Sequence, residues 1–219
     1  MVLGVLKKVF GREPDYKHIQ EVEGRTIGFT FVYYFGEHEV YDAIFRKNAH
    51  VRYGLEITSE NTGRFAIRIN FFGFQYDSCN NEYRFTYIRV YHVNKKTLLE
   101  RLAKKLYAIK KFVDIIIPRV IQKLGEVRFE DWGVVKRLIK EFEEKLPKTV
   151  IRYVKNQLEA IYGHKGLVSA WDVLYSLSRA RRRLVLGKTT REKLTQIELE
   201  TVARYAPEIV RMAQAIAVR

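Results

Sequence analysis

The chain has 219 residues, 47% hydrophobic and 30% charged, enough apolar side chain for a sizeable core and against general disorder. Its formal net charge is +15 at pH 7, which points to a polyanionic partner and foremost a nucleic acid. No apolar run approaches the ~18–20 residues that span a bilayer, which excludes a membrane-spanning helix.

Further composition narrows the setting. The lone Cys79 excludes an internal disulfide, and the lysine-bearing start is a poor signal peptide, so the reading is an intracellular, cytoplasmic protein. One Cys and two Met beside abundant Lys, Arg, Glu, Ile and Val point to a thermophilic source. The charge is unevenly placed. Residues 1–94 hold 12 Lys/Arg against 11 Asp/Glu, and residues 95–219 hold 28 against 14.

Residues 1–24 read as an opening arm. Val2, Leu3, Val5, Leu6, Val9 and Phe10 fit a short amphipathic helix closed by Gly11 and Pro14, either docked, oligomerising or frayed. Residues 25–93 alternate with period two. Ile27, Phe29, Phe31, Tyr33 and Phe35 share one face, as do Val51, Tyr53, Leu55 and Ile57, and then Phe65, Ile67, Ile69 and Phe71. Turn signals stand at Gly36-Glu37, Lys47-Asn48, 60–63 and 77–81, and a last strand runs over 83–93. The pattern predicts a curved antiparallel meander of about five strands.

At Asn94, a good N-cap, the period changes. Leu98, Leu99, Leu102, Leu106, Ile109, Val113 and Ile117 recur at helical spacing, with Lys104, Lys105, Lys110, Lys111 and Arg101 on the remaining face. Pro118 is expected to kink or break this helix. Helices are predicted over 130–145, 148–162, 167–183 and 190–217, the last one kinked at Pro207. The fold class is α+β: an N-terminal meander packed on a long helix, then a helical half. The expected units are the arm 1–24, the meander and basic helix 25–125, and a helical region 126–219 packed on them, all compatible with one continuous domain.

Catalytic signals are poor. His18, His38, His50, His92 and His164 are scattered and lack metal-ligand spacing. Gly187-Lys188-Thr189 has neither the first glycine nor the preceding strand of a phosphate-binding loop. No Gly-x-Ser-x-Gly elbow is present. The candidate Mg²⁺ carboxylates are Asp77 with Glu82 at a strand turn, and Glu141, Glu143 and Glu144 on a lysine-rich helix. A solvated turn and intrahelical ion pairs are the simpler accounts of these residues. No cofactor or metal is implied.

Basic and aromatic features are stronger. Arg179, Arg181, Arg182, Arg183 and Lys188 form a run without an acid. It fits phosphate contacts, or a helix C-terminus whose dipole favours cations. Arg52, Arg64, Arg68 and Arg89 alternate with apolar residues on the wet sheet faces. Phe85, Tyr87 and Tyr91 read as sharing a face with Arg89, an arrangement that stacks bases and tracks a backbone.

Two motifs carry a resemblance. The stretch 53–64 contains Tyr53-Gly54-Leu55-Glu56-Ile57 and the turn Asn61-Thr62-Gly63. It is followed by the apolar strand 65–74 and the turn Cys79-Asn80-Asn81. Farther on, Trp171-Asp172-Val173-Leu174-Tyr175-Ser176 lies in a helical pattern. Over about residues 50–205 this resembles a phage- and plasmid-associated family of uncharacterised proteins. That family carries a Gly where Glu82 stands and an Asn where Ser176 stands. The resemblance implies a mobile-element protein. The element order alone also resembles single-strand annealing recombinases, which bind DNA in a basic groove between sheet and helix, usually as rings.

Together these readings give a non-enzymatic nucleic-acid-binding protein. It acts on single-stranded DNA in replication or recombination of a plasmid or viral element. Lys104, Lys105, Lys110, Lys111, Lys188 and the arginines of 179–183 hold phosphates, Arg52, Arg64, Arg68 and Arg89 assist, and Tyr87 or Tyr91 stacks bases. The rivals are a metal-dependent nuclease and a structural protein meeting an acidic protein partner. A homo-oligomer is compatible with the apolar stretches near both ends. The nucleic-acid reading requires that the basic helix after Asn94 and the run at 179–188 form one surface.

Overall fold

Alternation early and helical spacing late appear in the structure as a sheet followed by helices. The computed structural model describes residues 1–22, 25–61, 65–77, 80–91 and 95–218. Arg64, the turn at 62–63, Cys79, His92 and the expected cap Asn94 lie outside the described residues.

Helix α1 (Val2–Phe10) buries Leu6, Val9 and Phe10 and stops where Gly11 adopts a left-handed φ of 73°. The strands β1 (Tyr16–Val22), β2 (Arg25–Asp42), β3 (Lys47–Asn61), β4 (Phe65–Gln75) and β5 (Asn81–Tyr91) form one antiparallel sheet in chain order. Helices α2 (Lys95–Lys110) and α3 (Val113–Glu126) follow. Then come β6 (Arg128–Phe129), α4 (Trp132–Glu143), α5 (Lys148–Lys165), β7 (Val168–Ser169), α6 (Ala170–Arg183), α7 (Lys188–Tyr205) and α8 (Pro207–Val218). The short strands β6 and β7 pair with each other. The architecture is α+β, with the meander first and helices after it. Among the described residues no helix is long and apolar enough to cross a membrane.

The strands differ from the expected ones in three places. Lys47-Asn48, read as a turn, instead opens β3 opposite Asp42 and Tyr41. Residues 16–22, read as arm, form β1. Gly36-Glu37 is no turn: β2 runs 18 residues through it, with Phe35 as the extra residue of a bulge between Tyr34 and Gly36. Glycine at 36 leaves room for the Tyr53 side chain, whose hydroxyl would lie 2.4 Å from a Cβ there. The chain reverses instead after Asp42, whose buried carboxylate accepts from the backbone N–H groups of Ile44 and Phe45.

Two helix boundaries also shift. The long helix divides at 111–112, and Pro118 sits inside α3. Pro207 opens α8 instead of kinking one long helix, a position where its missing N–H costs nothing.

One face of the sheet packs on α1, α2, α3 and α8 around Tyr33, Leu55, Ile69, Phe71, Leu102, Leu106, Ile117 and Ile209. A second apolar cluster joins α4, α5, α6 and α7. Helix α6 belongs to both: Trp171 and Leu174 face the sheet-side core, and Val173 and Leu177 face the helical one. Its start is fixed by a capping box, in which Ser169 Oγ accepts from the Asp172 N–H and the Asp172 carboxylate accepts from the Ser169 N–H. Helices α6, α7 and α8 all pack along β5, and this contact sets the far edge of the sheet against the basic run.

Candidate nucleic-acid interface

A bulge re-aims β5. Phe71 pairs with Thr86 and Phe72 with Arg84, so Phe85 is the extra residue. Phe85 and Ile88, three apart, are therefore both buried, while Tyr87, Arg89 and Tyr91 look outward. The expectation that Phe85 shares the outer face is corrected by this one-residue slip.

On the outer face Arg68 and Arg89 are direct cross-strand partners. Their guanidinium carbons lie 4.9 and 5.2 Å from the Tyr87 ring centroid, an arrangement in which the negative ring face offsets the repulsion between like charges. Across from them stand the end of α6 and the first turns of α7. The open cleft between them has a volume of about 1040 Å³. Six basic side chains line it, Arg68, Arg89, Arg181, Arg182, Lys188 and Arg191, against two acidic ones, Glu82 and Glu192, with Tyr87, Thr195 and Gln196 between them.

These charges are not equally available. Arg181 donates to the Glu198 carboxylate at 2.9 Å and to the Glu82 carbonyl at 2.7 Å. Glu198 is fully buried, and desolvation pushes its carboxyl above the usual carboxylate range although Arg181 pulls the other way. Arg181 is therefore a brace between α6, α7 and β5. Beneath it Arg84 pairs with Glu56 at 2.5 Å and with Glu82, and Asn70 donates to Glu56 at 2.7 Å. Arg182 and Arg191 are exposed and make no ion pair among the described residues. Lys188 reaches Glu192 only at 4.0 Å and is 91% exposed, a weak surface pair.

A smaller pocket of about 350 Å³ extends the cleft along β5, from Arg89 past Tyr91 to Arg101 and Lys104 on α2. Arg89 lines both cavities, so the groove beside the arginine run and the pocket beside α2 share that one side chain. Tyr91 is 54% exposed, and among the described residues no ring or cation covers it.

Several expected residues serve elsewhere. Lys105 lines the smaller pocket, but its buried ammonium donates to the carbonyls of Ile216 and Ala217 at 2.7 Å each, capping α8. Burial, then the neighbouring Arg101 and Lys104, push its pKa down. Lys110 donates to the Val9 carbonyl at 2.8 Å, capping α1. Lys111 is exposed and lines neither cavity. Arg52 pairs with Glu37 at 2.6 Å and lies over the Tyr76 ring. Arg179 turns away to the Tyr153 and Tyr175 hydroxyls and the Phe45 ring. Arg183 is exposed outside both cavities.

Arg191 was missed by sequence reasoning. The signal was available, because Lys188, Arg191, Thr195 and Leu199 fall at helical spacing on one face of α7.

Three of the five carboxylates weighed as metal ligands, Asp77, Glu82 and Glu141, have other partners. Asp77 accepts from the His50 N–H and lies 3.1 Å from its Nδ1, and Glu141 pairs with Arg204 at 2.9 Å. Among the described residues no three His, Cys, Asp or Glu side chains gather as a metal site. Compared with models of protein families, with curated proteins and with solved structures, the chain matches none.

Proposed function

We propose that the protein binds single-stranded nucleic acid, DNA foremost, along the groove between the outer face of β4–β5 and α7. The observation that carries this reading is a cleft with six basic side chains leading, through Arg89, to the uncovered ring of Tyr91. Phosphates neutralised by Arg182, Lys188 and Arg191 release counterions, which supplies sequence-independent affinity. An exposed ring beside a basic track offers its face to an unpaired base, whereas a duplex keeps its base faces stacked inside.

The two tyrosines divide the work. Tyr87 already has two guanidiniums over its ring, so it positions Arg68 and Arg89. Tyr91 stacks the base. On the resemblance to a mobile-element family, the setting we propose for this activity is replication or recombination of such an element.

The test is binding of a fluorescent oligonucleotide across a salt series, with unlabelled single and double strands as competitors. Salt-sensitive binding for which the single strand competes better supports the reading. Binding that is weak at low salt, or flat with salt, refutes it.

A further inference from the structure

The two edges of the sheet are treated differently. Strand β5 lies under α6, α7 and α8, whereas among the described residues the one extensive neighbour of β1 is β2. Residues 16–21 of β1 are all exposed. These six residues, without Pro or Gly, thus present their outward N–H and C=O groups to solvent, a template for another strand. The strand is also regular. The register shift opposite Gln20 and Glu21 is absorbed by an extra residue on β2.

We propose that β1 pairs antiparallel with β1 of a second copy of this chain, joining two five-stranded sheets about a two-fold axis at Ile19. Full overlap of residues 16–22 sets Lys17 opposite the second copy's Glu21 and Glu21 opposite its Lys17. His18 then faces Gln20, and the two Ile19 lie side by side. Opposite charges across strands stabilise and like charges destabilise, so this strand is complementary to itself, as an isologous interface requires. Sliding the register by two residues sets Ile19 against Lys17 or Glu21 and dissolves both ion pairs.

Lys17 and Glu21 have no ion-pair partner among the described residues. They stand about 13 Å apart along the strand, too far to pair with each other. The apolar content agrees. Ile19 lies opposite Phe29, whose ring stacks on Phe31 at 5.1 Å, and it ends that row 37% exposed. A second Ile19 covers it. The interface lies at the sheet edge opposite the groove, so it stands or falls independently of nucleic-acid binding.

Sedimentation velocity of the full chain over a concentration series is the test, with a melting curve confirming that each variant folds. The expected result is a reversible dimer. Lys17→Glu, which sets acid against acid at both ends, weakens it at least tenfold. Lys17→Glu with Glu21→Lys restores it. On a Cys79→Ser background, Ile19→Cys oxidises to a covalent dimer, because residues on the axis fall within disulfide reach, and Gln20→Cys does not. A chain monomeric at every concentration, a dimer indifferent to Lys17→Glu, or a charge swap that fails to restore it overturns the proposal.

Discussion

Replacing Arg182, Lys188 and Arg191 together by alanine separates the charge of the groove from its architecture. All three are exposed, and none holds a buried partner. Surface changes of this kind move stability by only about 0.5 kcal/mol each. Arg181, which also lines the main cleft, is held by Glu198, whereas Arg182, Lys188 and Arg191 make no strong ion pair among the described residues. For a single strand the logarithmic salt slope is about −0.7 per phosphate neutralised, so removing these three should make the slope shallower by about 2.1. Between roughly 50 and 200 mM salt, affinity should therefore fall about 18-fold more for the intact protein than for the variant. Fluorescence anisotropy with a labelled oligonucleotide reads both slopes. The neighbouring Arg181→Ala is the control. It strands the buried Glu198 charge and should cost about 3–5 kcal/mol, lowering the melting temperature by roughly 10 °C. Parallel salt slopes for wild type and triple variant would refute the reasoning, since the phosphates would then lie elsewhere.

Further outcomes follow from individual contacts. Tyr91→Ala should lose about 1–3 kcal/mol of single-strand affinity and Tyr91→Phe almost none, as equilibrium titration would show; equal losses would mean that the hydroxyl, not the ring face, makes the contact. Gly54→Ala should destabilise by about 1–3 kcal/mol or more in urea melts, because its Cβ would lie 2.1 Å from the Tyr33 carbonyl oxygen; an unchanged midpoint refutes that close approach. The Glu198 carboxyl titrates above its ordinary 4.5 when folded, so folded chains bind more protons than unfolded ones in that window. Its contribution to stability is full below 4.5 and is lost as pH rises through the folded value. Melting temperatures of Glu198→Gln should therefore gain on wild type as pH rises from acid to neutral, and a constant difference argues against a raised carboxyl.

The change of period near residue 94 was enough to divide the chain into sheet and helices, because period two and period 3.6 bury different sets of residues. Ile67, Ile69 and Phe71 read as core and are core, and Arg68 between them reads as outward and lines the groove. Charge placement was equally legible, since it is a property of composition. Other features depended on what packs opposite. Phe85 and Tyr87 alternate as if on one face, and only the one-residue bulge against β4 separates them. Gly36 has the chemistry of a turn, yet it admits the Tyr53 ring within a continuous strand. Lys104 and Lys105, or Arg181 and Arg182, are indistinguishable as text. One residue of rotation around a helix sends the first pair to solvent and to a helix C-terminus, and the second to a buried glutamate and to open groove. The sequence alone determined where positive charge resides along the chain. Only the tertiary structure decided which of those charges remain available, because that depends on partners distant in sequence and adjacent in space.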